Sequence, residues 1–227
     1  MDASGVFARV VALIGGTMVV ARRLRDGPQA PAFGTAPAIP AAKPQGTLMT
    51  LKMPTAVGWQ GGRTPVAARD LKVQAFATEL DHPRWIEVLP NGDVLVAEAS
   101  SVPGPVRTLF DYAVRSTMQR AGAMPPSANR ITRLRDADGD GAAEVREVFL
   151  EGLSQPFGMA LVGDIFYVGN TDGVVAFPYA AGEHRIAGPG RTLVTFKPKG
   201  HWTRSLLASP DGSKLYAGVG SLSNIGE

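Results

Sequence analysis

The chain has 227 residues, of which 44% are hydrophobic and 19% charged, enough to bury a sizeable core. It contains no cysteine, which excludes disulfides, thiolate metal sites and a cysteine nucleophile. The net charge of +3 is spread along the chain with no basic run carrying interleaved aromatics, so nucleic acid is not an expected partner.

Taken in chain order, residues 1–25 form an apolar segment. Val6 to Ala21 is interrupted only by Arg9, Gly15, Gly16 and Thr17. At about 16 residues it is shorter than the roughly 20 of a spanning helix, and Arg22, Arg23 and Arg25 follow it. An export signal or an uncleaved anchor is the expectation, which implies a periplasmic or membrane-anchored protein; a cytosolic tail is the alternative. Residues 26–70 read as a linker. Pro28, Pro31, Pro37, Pro40, Pro44, Pro54 and Pro65 break any helix or central strand.

The globular part spans 71–227. Leu71, Val73, Ala75 and Ala77 alternate with period two and predict a strand. A unit then recurs three times: HPRWIEVLPNGDVLVA (82–97), QPFGMALVGDIFYV (155–168) and HWTRSLLASPDGSKLY (201–216). Each copy is an apolar strand, a tight turn and a returning strand. The turns carry Asn91-Gly92, Gly163-Asp164 and Asp211-Gly212, pairs that supply positive φ cheaply and close hairpins. A further hairpin is predicted from Arg130–Arg135 out to Glu144–Leu150 back. Copies begin 73 and then 46 residues apart, and the second spacing is close to the roughly 40–50 residues of a propeller blade. The first is longer because of an insertion at about 100–127, in which Leu109 to Arg120 predicts a helix with Leu109, Tyr112, Ala113 and Ser116 on one side. The fold class expected is therefore all-β, a β-propeller of about three blades, truncated, with a ring completed by a second copy as the alternative.

The turn Asp136-Ala-Asp-Gly-Asp-Gly141 offers Asp136, Asp138 and Asp140 at alternate positions and Glu147 at loop position twelve. Alternate carboxylates with a glycine at the bend suit Ca²⁺, although the flanks read as strands and such runs are also good turns. Trp85, Phe157 and Trp202 recur early in each copy. Packing between repeats is the plainer reading of them, a sugar-stacking platform the sharper one.

The stretches LDHPRWIEVLPNGDVLVAEA (80–99), PSANRITRLRDADGDGAAEVREVFLEGLSQPFGMALVGDIFYVGNTDGVVAFPY (126–179) and HWTRSLLASPDGSKLYAGVGSLSNIGE (201–227) resemble the L-sorbosone dehydrogenase group of the pyrroloquinoline-quinone-dependent sugar dehydrogenases. The resemblance covers about 71–227. It implies a six-bladed propeller, oxidation of an aldose or sorbosone-type sugar by hydride transfer to the quinone, pyrroloquinoline quinone and Ca²⁺ as cofactors, and a separate electron acceptor. It implies His201 as the general base, since imidazole exchanges protons near neutrality. It further implies Gln155, one repeat earlier, and Arg204 beside the anionic cofactor. His82, at the same point of the first copy, is expected to be structural. Two other functions remain open on sequence: a non-catalytic binding propeller, and a Ca²⁺-dependent lactonase-type propeller.

Overall fold

The computed structural model describes residues 11–14, 17–20, 58, 61–101, 104–198 and 200–221. Two compact units divide the chain: Met1–Ala56 with Pro105–Ala121, and Val57–Gly104 with Gly122–Glu227.

In the first unit, β1 (Val11–Ile14) pairs antiparallel with β2 (Thr17–Val20). The part of the apolar segment that is described is thus a hairpin, not a helix. No helix among the described residues is long and apolar enough to cross a membrane. Most of the linker expected over 26–70 lies outside the described residues. The insertion carries α1 (Leu109–Arg120), with the predicted limits. Its start is fixed by a capping box: the Asp111 amide donates to Thr108 Oγ1 at 3.0 Å, and the Thr108 amide donates to the Asp111 carboxylate at 2.9 Å. The amide of Arg107, then the Thr108 side chain and amide, hold the Asp111 carboxyl below its usual range. No α1 residue is buried.

The second unit is built from three antiparallel sheets in which every strand pairs with its sequence neighbour. The first sheet has the order β3 (Pro83–Val88), β4 (Val94–Glu98), β5 (Arg130–Arg135), β6 (Val145–Leu150). The second runs β7 (Met159–Val162), β8 (Ile165–Asn170), β9 (Gly173–Pro178), β10 (Arg191–Thr195). The third is the hairpin of β11 (Arg204–Ala208) and β12 (Leu215–Val219). All the predicted hairpins are present, and the architecture is all-β apart from one helix. The described residues form no closed ring.

Alternation explains the packing. Leu95, Ala97 and Ile131 of the first sheet are fully buried with Phe149 against Met159, Phe166 and Val168 of the second. Phe149 and Phe166 meet edge to face at 5.4 Å, a favoured aromatic geometry. A smaller cluster of Ala160, Val174 and Leu206 joins the second sheet to the third. There the main chains themselves approach: Gly158 donates to the Arg204 carbonyl at 2.9 Å, and a Cβ on Gly158 would fall on the backbone of residues 204–206.

The strand predicted over 71–77 is absent; this stretch is irregular, with Leu71 and Val73 exposed. It lies along the edge of β6 without a continuous ladder. Ala143 donates to the Phe76 carbonyl at 2.8 Å, and Arg146 donates to the carbonyls of Thr78 and Glu79. Isolated bonds of this kind cover an otherwise open sheet edge.

Two buried ionic clusters brace the first sheet. Asp93, two residues after the Asn91-Gly92 turn starts, is fully buried and accepts from Arg133 at 2.8 Å and from Arg135. Glu98, also fully buried, accepts from Arg130 at 3.1 Å, from the Thr132 hydroxyl and from the Asp81 amide. Burial pushes both carboxyls up. Hydrogen bonds from Arg133, Arg135 and Asn91 on Asp93, and from Arg130, Thr132 and Asp81 on Glu98, outweigh it and hold both below the usual carboxylate range.

Candidate functional site

The starts of the three repeats converge. Arg84, near the beginning of β3, lies over the Phe157 ring at 5.7 Å and over the Trp202 ring at 5.0 Å. Trp85 meets Phe157 at 5.0 Å. A residue from each copy thus contributes to one cluster: Arg84 and Trp85 from the first, Phe157 from the second, Trp202 from the third. Arg84 Nε is closed to water and has no hydrogen-bond partner, and no carboxylate among the described residues pairs with its guanidinium. Aromatic faces offset part of the cost of a half-buried cation, but they do not satisfy its N–H groups.

His201 precedes Trp202 and is exposed. Its backbone is held on two sides. Its amide donates to the Ser221 carbonyl at 2.9 Å, and its carbonyl accepts from Arg204 Nη1 at 2.7 Å. Its imidazole makes no hydrogen bond with the described residues. The imidazole is thus free and exposed, one residue before the ring that packs on Arg84.

The other two residues expected at the cofactor face elsewhere. Gln155 is buried, and its side-chain amide donates to the Ser100 carbonyl at 2.8 Å while its backbone amide donates to Asn129 Oδ1. His82 does the same job one repeat earlier, with Nδ1 2.8 Å from the Ala99 carbonyl. Both residues have positive φ (50° and 56°) immediately before a proline. The repeat uses them to turn the chain and tie it to the end of β4. Arg204 is 1% exposed; its Nη1 also donates to the Thr203 carbonyl at 3.0 Å, and its guanidinium lies over Phe196 at 5.6 Å. Strand alternation turns it into the junction between the second and third sheets. Gln155 Nε2 and Arg204 Nη1 are engaged by main-chain carbonyls, and Arg204 Nε is enclosed without a partner, so no step through pyrroloquinoline quinone is derived from these two residues.

At the acidic turn, Asp136, Asp138 and Asp140 come together as predicted, but the fourth carboxylate is Glu144, with one oxygen of each within 4.8 Å of the others. Glu147 is not among them. It sits inside β6, where register places it opposite Arg133, and it accepts from that guanidinium at 2.7 Å. The signal that separates the two glutamates is the strand itself: β6 begins at Val145, so loop counting ends one residue before it. Backbone amides of Gly139 and Gly141 donate to Asp136, and Ala142 to Asp140, so the loop is preformed with oxygen donors only, the chemistry of a hard cation.

The site residue that sequence reasoning missed is Arg84. Its signal was present: a basic residue between the proline and the recurring aromatic of the first copy, with Phe and Thr at the corresponding points of the others.

No protein-family model matches the chain, and no curated protein matches it. Two solved structures do, an iodide structure and a calcium structure of a Trichoderma reesei carbohydrate-active enzyme of family AA12. Each has a TM-score of 0.51 at 23% identity, over 70% of this chain and 35% of that chain. The likeness establishes a shared fold, and the chain spans about a third of those proteins. The resemblance to the L-sorbosone dehydrogenase group does not stand: no family model supports it, and the similar structures are of family AA12.

Proposed function

We propose that the three sheets are successive blades of a β-propeller and that the protein is a carbohydrate-active oxidoreductase. The observation that carries this reading is the convergence of Arg84, Phe157 and Trp202, with the free imidazole of His201 one residue before Trp202 in the chain, on a fold shared with family AA12 carbohydrate-active enzymes. Aromatic faces suit the apolar side of a sugar ring, and a cation and a base suit its hydroxyls. In this site His201 accepts the proton of the hydroxyl being oxidised, while Arg84 stabilises the developing alkoxide. Redox chemistry needs an acceptor, for which the sequence expectation is pyrroloquinoline quinone.

The test is dye-coupled oxidation of an aldose panel by the protein with quinone and Ca²⁺ added. His201→Ala and Arg84→Ala are each expected to lower kcat/KM by about 10²-fold or more with an unchanged circular-dichroism spectrum. Wild-type activity in the His201→Ala protein sinks the assignment. Aldose binding without turnover would favour a non-catalytic propeller instead.

We also propose that the acidic turn takes Ca²⁺ as a structural clip. Millimolar Ca²⁺ is expected to raise the thermal midpoint of the wild type and of Glu147→Gln, but not of Glu144→Gln or Asp138→Asn. An equal shift in all four proteins would show that the turn holds no ion.

A further inference from the structure

The second unit contains a cavity of about 490 Å³ that the repeat-start cluster does not touch. It lies between the residues that follow β6 and the connection from β9 to β10, and Val175 and Phe177 supply its apolar wall. The connection is anchored by Ile186, whose amide donates to the Phe149 carbonyl at 2.9 Å and whose side chain is in the core. Gly190 permits the close approach: a Cβ there would collide with the side chains of Val175 and Phe177. The cavity is therefore built by the fold.

Its polar groups are few and specific. Glu151 and Arg185 line it and pair with each other. Asn170 lines it while 5% exposed, and among the described residues its side-chain amide has no partner; Oδ1 is enclosed, which leaves Nδ2 as the end a ligand can meet. A largely buried N–H group without a partner is costly, and a ligand or ordered water in the cavity is what can accept from it. The rim is charge-balanced, so it does not select an ion. An apolar wall facing an amide and a balanced ion pair is the pattern of an amphipathic, uncharged ligand, and the volume falls in the small-molecule range of roughly 300–1,000 Å³.

We propose that this cavity binds a small uncharged polyhydroxy molecule, such as a polyol or monosaccharide, with Asn170 as its specificity-determining contact. The claim is independent of the redox reading above, because Arg84, His201 and Trp202 do not line the cavity.

The test is titration of the ¹⁵N-labelled protein with xylitol and with D-glucose, following in every variant the backbone amides of Gly152 and Ala187, which line the cavity. A saturable shift with a millimolar Kd is expected. Asn170→Ala should weaken it about tenfold or more, since the amide donor is lost. Gly190→Ala should also weaken it: Gly190 lines the cavity, and a Cβ there would push the Val175 and Phe177 side chains out of the apolar wall. Trp202→Ala should leave it unchanged. No saturation with either probe, as when only water occupies the cavity, overturns the proposal. So does saturation that survives both cavity variants, or that is lost in Trp202→Ala.

Discussion

Replacing Asp93 with alanine is expected to destabilise the protein by about 3–5 kcal/mol, the usual cost of removing one partner of a buried ion pair. Asp93 is fully exchanged from water to two guanidiniums, one of which, Arg133, is 1% exposed. Without the carboxylate, Arg133 keeps only Glu147, a half-exposed partner at 2.7 Å. Urea denaturation followed by tryptophan fluorescence checks the value; a loss below about 1 kcal/mol, the range of exposed pairs, would refute it. A pH dependence follows with a definite sign. Asp93 and Glu98 are held below their ordinary values in the folded state. Their stabilisation is therefore fully present above the unfolded carboxylate values of about 4, and is lost as pH falls through the lower folded values. The denaturation midpoint of the wild type is expected to drop on acidification below about pH 4, and Asp93→Asn is expected to flatten that drop.

Gly158→Val is expected to cost about 3 kcal/mol, the upper end for overpacking, because what it strikes is main chain rather than a yielding side chain. A Cβ on Gly158 would stand 2.7 Å from both the Arg204 carbonyl oxygen and the Ser205 carbonyl carbon, and closer still to the Leu206 amide nitrogen. The third sheet must shift away, taking Leu206 out of its cluster with Ala160 and Val174. Hydrogen exchange should show β11 and β12 losing protection while the second sheet keeps its own. Gly104→Ala, where a Cβ meets nothing within 4 Å, is the control. Equal protection of β11 in the wild type and Gly158→Val would refute the claim.

Much of this architecture was legible in the sequence because it is local. Asn91-Gly92, Gly163-Asp164 and Asp211-Gly212 close hairpins whose strands are adjacent in the chain, and α1 announces itself through Thr108 and Asp111. The errors arose where tertiary partners decide. Alternation at 71–77 describes a strand, but the stretch meets the edge of β6 through isolated bonds rather than a ladder, so it remains irregular. Glu147 has the spacing of a ligand, yet strand register gives it to Arg133. Gln155 occupies the same repeat position as His82 and behaves like it, as a tie to the end of β4, whereas the resemblance had assigned it a cofactor. His201 differs because no proline follows it and its side chain stays free. Arg84 was overlooked because its significance lies in two rings, 73 and 118 positions further along the chain, which only the convergence of the repeats brings to it.

The nearest-neighbour order of the strands bears on how the chain acquires its structure. Loop-closure entropy grows only slowly with length, and most steps within the sheets close short turns. The exception is the passage from β4 to β5, whose register partners Glu98 and Arg130 stand 32 residues apart with α1 between them. The first sheet therefore carries one closure longer than any in the second. The Glu98–Arg130 pair lies at the point where that closure ends, so a contact that braces the finished sheet also holds its longest loop shut.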